Sequence, residues 1–569
     1  MQLSLEYPAS LTKAAYDYGT RSDGGTHGLV LTKPHIVDLI LDLSGYTANT
    51  DLTKQRLLEP ACGHGAFLLP AIDRLAASAK RQGVRLQALV DAIAAFDIDD
   101  EHVAITRNAV VETLGRHGMK AVAARAVAER WVQQADFLLT PIVGQFDFVV
   151  GNPPYIRIEQ LSPLIQAEYR RRYATLFDRA DLYIAFIERS LQLLASKGVV
   201  GFICADRWTL NKYGAPLREL VSRDYSVRTY IDLHKTSPFE AEVIAYPSIF
   251  VIANEPGGKP VRVVRLSVGS PEECAAVVSG ASSPAAATNC VQSETYTTWF
   301  ANSDPWVLSS PDQLATLRDL ESRFPLLEES GGTSVRIGIA TGNDSIYIVP
   351  EDADIEPDRL LPLVMRSDID NGRIRDARRC VINTYEEKGV ISLDKYPRLK
   401  RYFDKNAETL KRRHVAQKDP VGWCRTIDRP YPKMVGWPKL LIPDIAGSNE
   451  VIYEPGNFYP HHNLYFVISD DWDMEVLGGL LSSRVALFFV WSYAVKMRGG
   501  YLRFQAQYLR RIRVPRPDAV PEAIAARIKT AYRARDFSEL DDLSREVYGL
   551  TRLPDFDFVD TRVRPSPSC

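Results

Sequence analysis

Between about residue 36 and residue 255, short apolar runs alternate with longer stretches in which apolar residues recur every three or four positions. The runs "QRLLEPA" (55–61), "LVDAIAAFDIDD" (89–100), "FDFVV" (146–150), "VVGFICA" (199–205) and "YPSIFVIAN" (246–254) predict strands. The helical spacing predicts helices over "AFLLPAIDRLAASAKR" (66–81) and "DLYIAFIERSLQLLASKG" (181–198), the second closed by its glycine. Strands alternating with helices indicate an α/β fold built on a parallel sheet. The pattern breaks at "VSGASSPAAATNC" (278–290), which is small, polar and Pro-containing and reads as a linker. Beyond it Tyr, Trp, Pro and Arg are frequent and no βα alternation continues. The expected organisation is therefore a first domain over 1–275, a linker over 276–300 and a second, α+β domain over 301–569. "VALFFVWSYAV" (485–495) is too short to span a membrane and predicts a buried helix.

Composition narrows this only a little. The 569 residues are 46% hydrophobic and 25% charged, which is enough for large cores. The formal net charge is −2, so no global basic field marks a nucleic-acid partner, although 69 Lys and Arg leave room for a local one. The seven cysteines, at 62, 204, 274, 290, 380, 424 and 569, show no C-x-x-C spacing. Their odd number and scatter fit a reduced, cytoplasmic chain without a zinc ribbon. The N-terminus lacks the layout of a signal peptide.

The candidate chemistry lies at the strand ends. In "LEPACGHGAFLLP" a strand meets Gly63 and Gly65 and then a helix. Such glycines permit a tight turn and close approach to a ligand at a helix N-terminus. A plain βα turn has the same look, and the third glycine of a dinucleotide fingerprint is missing. Asp97, ending the next strand, can accept both hydroxyls of a ribose; a solvated strand-end aspartate is the alternative. In "QADFLL", Asp136 and Phe137 precede the "FDFVV" strand, where a carboxylate beside an aromatic can hold an adenine. That strand runs into Asn152, Pro153, Pro154 and Tyr155.

Taken in this order, the motifs resemble those of the gamma-class N6-adenine DNA methyltransferases, the TaqI-like and Eco57I-like restriction-modification methylases. The resemblance rests on "LTKPHIVDLI" (31–40), "LEPACGHGAFL" (58–68), "FDID" (96–99), "ADFLL" (135–139), "FDFVVGNPPY" (146–155), residues 181–203 and "SPFEAEVIAYPSIFVI" (237–252). It implies a Rossmann-like S-adenosylmethionine-binding catalytic domain followed by a DNA target-recognition domain. It also implies a site-specific, adenine-specific enzyme of a restriction-modification system. Thr32 would touch the cofactor, Glu59, Ala61 and Gly63 would line its methionine end, Asp97 and Ile98 would hold its ribose and flank the adenine, and Asp136 and Phe137 would bind the adenine ring. Cys62, inside the motif, reads as packing.

The resemblance also gives the Asn-Pro-Pro-Tyr turn its chemistry. The exocyclic amine of adenine is a poor nucleophile because its lone pair is conjugated with the ring. Two fixed acceptors, the Asn152 side-chain oxygen and the Pro153 carbonyl, would draw its N–H groups out of plane. Consecutive prolines hold φ near −65° and so preset those acceptors. A base in a duplex must be flipped out to reach them. Tyr155 and Phe239 would then stack on its two faces. Similar turns serve RNA and protein-glutamine methyltransferases, so the turn reports a planar nitrogen better than it reports DNA; an RNA or protein-glutamine enzyme is the alternative. The long second domain favours DNA. There "KMRGGYLRFQAQYLRRIRVP" (496–515) resembles the end of a recognition domain, with Arg498, Arg503, Arg510 and Arg511 as phosphate ligands or as a solvated helix face. His461 and His462, as neighbours on a strand, would point to opposite faces and bind no metal. The remaining expectations are a double-stranded DNA substrate, a cognate endonuclease acting on the same site, a monomeric state and no membrane partner.

Overall fold

The computed structural model describes residues 30–241, 246–280, 291–297, 299–307, 309–330, 332–375, 377–446, 450–494, 502–556 and 558. The chain divides into two compact units, Met1–Val307 and Leu308–Cys569.

The first unit is built on a nine-stranded sheet in the order β3-β2-β1-β4-β5-β7-β6-β8-β9. Helix α1 (Pro34–Ser44) begins on a proline at its first position and ends at Gly45, whose φ of 86° is cheap only for glycine. Then follow β1 (Leu57–Glu59), α2 (Leu68–Arg81), β2 (Ile93–Asp97), α3 (Asp100–Arg116), α4 (Ala121–Trp131), β3 (Val132–Gln134) and β4 (Phe146–Gly151). After them come α5 (Pro163–Arg172), α6 (Tyr183–Gln192), β5 (Leu194–Ala205), β6 (Ser226–Asp232), β7 (Pro247–Ala253), β8 (Val261–Leu266) and β9 (Val291–Tyr296). Strands β1 to β5 are mutually parallel, with Leu57 opposite both Ile93 and Phe148. Strand β7 runs antiparallel between β5 and β6. Central strands are buried on both faces, which is why they read as continuous apolar runs; Leu57, Leu58, Val149 and Ile203 are fully covered. The strand order reverses between β1 and β4, and at such a switch point the carboxyl ends of the strands open a crevice.

Two boundaries differ from the sequence reading. The helix expected to end at Gly198 ends at Gln192, and β5 follows with an irregularity near Lys197, whose φ is 66°. Gly198 is needed instead because a Cβ there would meet the Phe146 carbonyl at 2.8 Å. The segment expected as linker contributes β9, which pairs with β8 from Val291 to Tyr296. Residues 299–307 also belong to the first unit. The indole N–H of Trp299 donates to the Val307 carbonyl at 2.8 Å, and Trp306 packs 4.7 Å from Trp208. Aromatic packing ties this segment to the first unit, which a composition-based linker reading does not detect.

The second unit is α+β. One antiparallel sheet joins Ser334–Ile337, Leu464–Ile468, Lys439–Pro443 and Ile452–Glu454. A mixed sheet joins Ile348–Pro350, Arg379–Ile382, Leu360–Val364 and Tyr459–Pro460, the last two strands running parallel. Helices Met474–Leu481, Arg484–Tyr493, Glu522–Ala534 and Phe537–Tyr548 complete it. Arg484–Tyr493 is the helix predicted to be buried, and it is covered from Val485 to Tyr493. Among the described residues no single helix is long and apolar enough to cross a membrane.

Candidate active site

Strand β1 delivers Glu59 to the crevice, and the turn after it is held by backbone. Gly63 and Gly65 have φ of 48° and 85°, both in the left-handed region. A Cβ at Gly65 would meet Leu69 and Thr106 at 3.4 Å. The Gly63 N–H donates to Asp97 Oδ2 at 2.8 Å, and the Thr106 hydroxyl donates to the Gly63 carbonyl at 2.5 Å. Asp97 Oδ1 accepts from the Asp99 N–H at 3.0 Å and faces His102 Nδ1 at 3.4 Å. That bond raises the His102 pKa, against a smaller opposing effect of burial. One carboxylate thus ties the Gly turn to the start of α3, and its four lone-pair positions leave room for further donors. Cys62 is buried, its N–H bonded to the Phe96 carbonyl at 2.8 Å, and it also lines the crevice.

Glu59 is 1% exposed, and its Oε2 has no hydrogen-bond partner among the described residues. Burial, then the neighbouring Asp97 charge, pushes its carboxyl well above the usual range. An unpartnered buried carboxylate oxygen costs the fold stability. Glu59 lines the crevice.

On the far wall, Asp136 Oδ1 accepts from the Leu138 N–H at 2.8 Å and Oδ2 accepts the Tyr169 hydroxyl at 2.6 Å. Burial raises the Asp136 pKa and the Tyr169 bond opposes that rise. Phe137, expected to face an adenine, is 2% exposed. Its ring lies 6.2 Å from Phe96 and 5.2 Å from Phe186, with the Arg189 guanidinium 5.0 Å from its centroid. The phenylalanine rings lining the crevice are those of Phe67 and Phe186.

Strand β4 carries Asn152 into the crevice. Its Nδ2 donates to the Val30 carbonyl at 2.9 Å and to Thr32 Oγ1 at 3.3 Å. A carbonyl can only accept, so the amide orientation is fixed, and Oδ1 is left buried with no partner among the described residues. The N-terminal strap is itself held down: residues 31–33 bond to 238–240 through Lys33 N–H to the Pro238 carbonyl and Glu240 N–H to the Leu31 carbonyl, both 2.9 Å. This brings Phe239, 4% exposed, against Tyr155 at 6.2 Å between centroids and 80° between planes. The two rings meet edge to face. The Tyr155 hydroxyl is buried without a partner among the described residues, and burial raises its pKa well above the ordinary phenol value.

The crevice is therefore lined by Thr32, Glu59, Ala61, Gly63, Asp97, Ile98, Asp136, Asn152 and Pro154, all expected from the sequence. Pro153 is buried in the turn, and Tyr155, Phe137 and Phe239 stand behind or beside the wall. His102, Tyr169 and Phe186 also line it and were not foreseen. Phe186 lay within a quoted helix, one of its many apolar positions, and Tyr169 sits on α5 with no motif around it. His102, five residues past Asp97 in the first turn of α3, offered a weak signal.

Three of the four candidate arginines in the second unit are engaged with neighbours. Arg503 pairs with Asp444, its Nε 3.3 Å from Oδ1. Arg510 pairs with Glu328 at 3.0 Å and donates to the Val335 carbonyl at 2.8 Å. Arg511 lies 5.3 Å from the Tyr493 ring centroid, and Arg498 lies outside the described residues. His461 and His462 do not point apart: their rings are 4.0 Å apart. His461 is an isolated bridge residue followed by a turn, so strand alternation does not apply. Asp344 completes a group of three donors within 4.8 Å of one another, with its Oδ2 3.0 Å from His461 Nε2 and its other oxygen accepting the Thr341 hydroxyl.

The Eco57I restriction-modification methylase family matches this chain over residues 91–239. The Type II methyltransferase M.PaeR7I of Pseudomonas aeruginosa is 46% identical over 539 residues, covering 93% of each chain. The Type II methyltransferase M.BstVI of Geobacillus stearothermophilus is 43% identical, covering 92% of this chain and 96% of the relative. Among solved structures, the Type IIL restriction-modification enzyme MmeI in complex with DNA superposes with a TM-score of 0.59 at 13% identity, covering 92% of this chain and 74% of that one. That is a likeness of fold.

Proposed function

The chain belongs to the Type II DNA methyltransferases of restriction-modification systems, and from that premise we propose that it methylates N6 of an adenine flipped out of duplex DNA, using S-adenosylmethionine. The observation that carries the adenine reading is the Asn152 amide. Its nitrogen is committed to the Val30 carbonyl, and its oxygen is buried and free to accept. An amine with two N–H groups suits a side-chain acceptor followed by the Pro153 carbonyl. Together they pull the nitrogen toward a tetrahedral shape, free its lone pair and stabilise the positive charge that develops on it. Because both acceptors are fixed beforehand, positioning supplies much of the rate and no strong base is needed for attack.

The residues of the crevice fit the cofactor. Bound there, S-adenosylmethionine supplies an electrophilic methyl group. The orphaned Glu59 oxygen answers an ammonium group, with Ala61 and Gly63 giving the close backbone approach and Thr32 closing the strap side. Asp97 takes ribose hydroxyls and Ile98 packs on the adenine, whose edge meets Asp136. Phe67 and Phe186, rather than Phe137, give the crevice its phenylalanine rings. Tyr155 stacks on the flipped base. Phe239 stacks on the other face only after leaving its edge-on position, since a base between two rings needs about 3.5 Å on each side.

The first unit is the catalytic domain and residues 308–569 select the target, with the enzyme acting as a cytoplasmic monomer that marks sites against a cognate endonuclease. The test is a digest of duplex DNA to nucleosides after incubation with the chain and methyl-labelled S-adenosylmethionine. Label in N6-methyldeoxyadenosine is expected. Label in a methylcytosine, or none in DNA, would overturn the reading.

A further inference from the structure

Type II methylation needs the strand to be held as well as the base, and two of the four arginines first expected to hold it, Arg503 and Arg510, already have carboxylate partners, while Arg511 lies against the Tyr493 ring. Two others do not. Arg157 lies two residues beyond Tyr155, and Arg207 follows the carboxyl end of β5, the strand that pairs with the one carrying Asn152. Both are exposed, and among the described residues neither has a carboxylate within ion-pairing distance. Arg179, by contrast, pairs with Glu159 at 3.2 Å.

Their surroundings tie both arginines to the base site. Residue 157 bridges Asp181 across the backbone, and the Leu182 N–H donates to the Ile156 carbonyl at 2.7 Å. The Asp181 carboxylate feels the charge of both arginines but is bonded elsewhere, accepting the Tyr213 hydroxyl at 3.3 Å. Tyr213 in turn meets the Tyr183 hydroxyl at 2.9 Å, and the Tyr183 ring stands 6.5 Å from Tyr155. The Arg207 guanidinium lies 4.7 Å from the centroid of the Tyr246 ring. A guanidinium held near an aromatic ring keeps its charge and can offer its N–H groups to an anion.

We propose that Arg157 and Arg207 bind the phosphodiester backbone beside the flipped nucleotide and so position the strand against the Asn152 turn. A freely hydrated cation contributes counterion release on meeting a phosphate; one already neutralised by a carboxylate contributes less. Phosphate contacts of this kind set register and carry no sequence information. The inference rests on the base-flipping reading of the site.

The test uses the full chain, the R157Q/R207Q variant and duplexes with 2-aminopurine at the target or methylphosphonates flanking it. In the parent, the neutral linkages should weaken binding about tenfold or more, whereas the variant should bind charged and neutral duplexes equally. The salt slope of the variant should be smaller by about two. Unchanged cofactor affinity confirms that the variant is folded, and R157K/R207K should restore part of the slope. A variant that keeps the parental slope and still senses the neutral linkages overturns the assignment. If the parent gives no 2-aminopurine fluorescence rise, the base-flipping reading fails instead.

Discussion

Asn152 and Glu59 are both polar groups left partly unsatisfied inside the fold, and both line the crevice, which is why we assign them to ligands. Removing the Asn152 acceptor should separate binding from chemistry. N152A is expected to bind S-adenosylmethionine by calorimetry as the parent does while losing methyl transfer by about 10²-fold or more. Near-parental turnover would remove Asn152 from the proposed role. Glu59 leads to a pH prediction. Its folded pKa lies above the unfolded value because burial penalises the charge. The parent therefore carries a destabilisation that is absent below the ordinary carboxylate pKa and develops as pH rises through the folded one. E59Q should be more stable than the parent at pH 8, by urea midpoint, with the gap closing toward pH 4, and should gain less stability from added cofactor. At this scale the sequence was most informative where a residue type is dictated by chemistry, as with Asn152, Asp97 and Glu59. It was least informative where orientation decides. Phe137 and Phe186 are both aromatics near an acid, and only the direction of each side chain separates a wall residue from a core residue.

The Gly turn between β1 and α2 shows how an element becomes a site. Its shape depends on Gly65, whose N–H donates to the Cys62 carbonyl at 2.7 Å at a φ of 85°. An alanine there pays the left-handed penalty and presses on Leu69 and Thr106. G65A should lose about 1–2 kcal/mol of stability and bind S-adenosylmethionine more weakly, measured by thermal shift with and without cofactor. Strands and helices of the first unit were legible because buried parallel strands are apolar throughout and their helices are amphipathic. Their ends were less so. The stop of α6 six residues before Gly198, and the pairing of β9, depend on contacts distant in sequence. The two histidines at 461 and 462 show the same limit: an alternation rule holds within a strand and fails one residue beyond it.

Across the molecule, the second unit was named by composition, and its architecture was not readable because its strands are short and pair out of order. Its core holds a feature no motif announces. Lys439 and Glu454, both fully buried, pair at 2.6 Å, and Glu454 Oε1 also accepts the N–H groups of Gly456, Asn457 and Phe458. K439M strands that carboxylate and should cost about 3–5 kcal/mol. K439M/E454Q should recover part of the loss, in urea unfolding followed by fluorescence; equal stability of K439M and parent would show that the pair contributes little. The whole-molecule claim is that this chain writes N6-methyladenine at one short DNA site, through the turn that Asn152 begins. Methylation-aware sequencing of plasmid DNA from cells expressing the chain, beside N152A, tests it most directly. The account predicts N6-methyladenine at a single motif in the first sample and none in the second. Unmodified adenine in both, or the same modification in both, would contradict it.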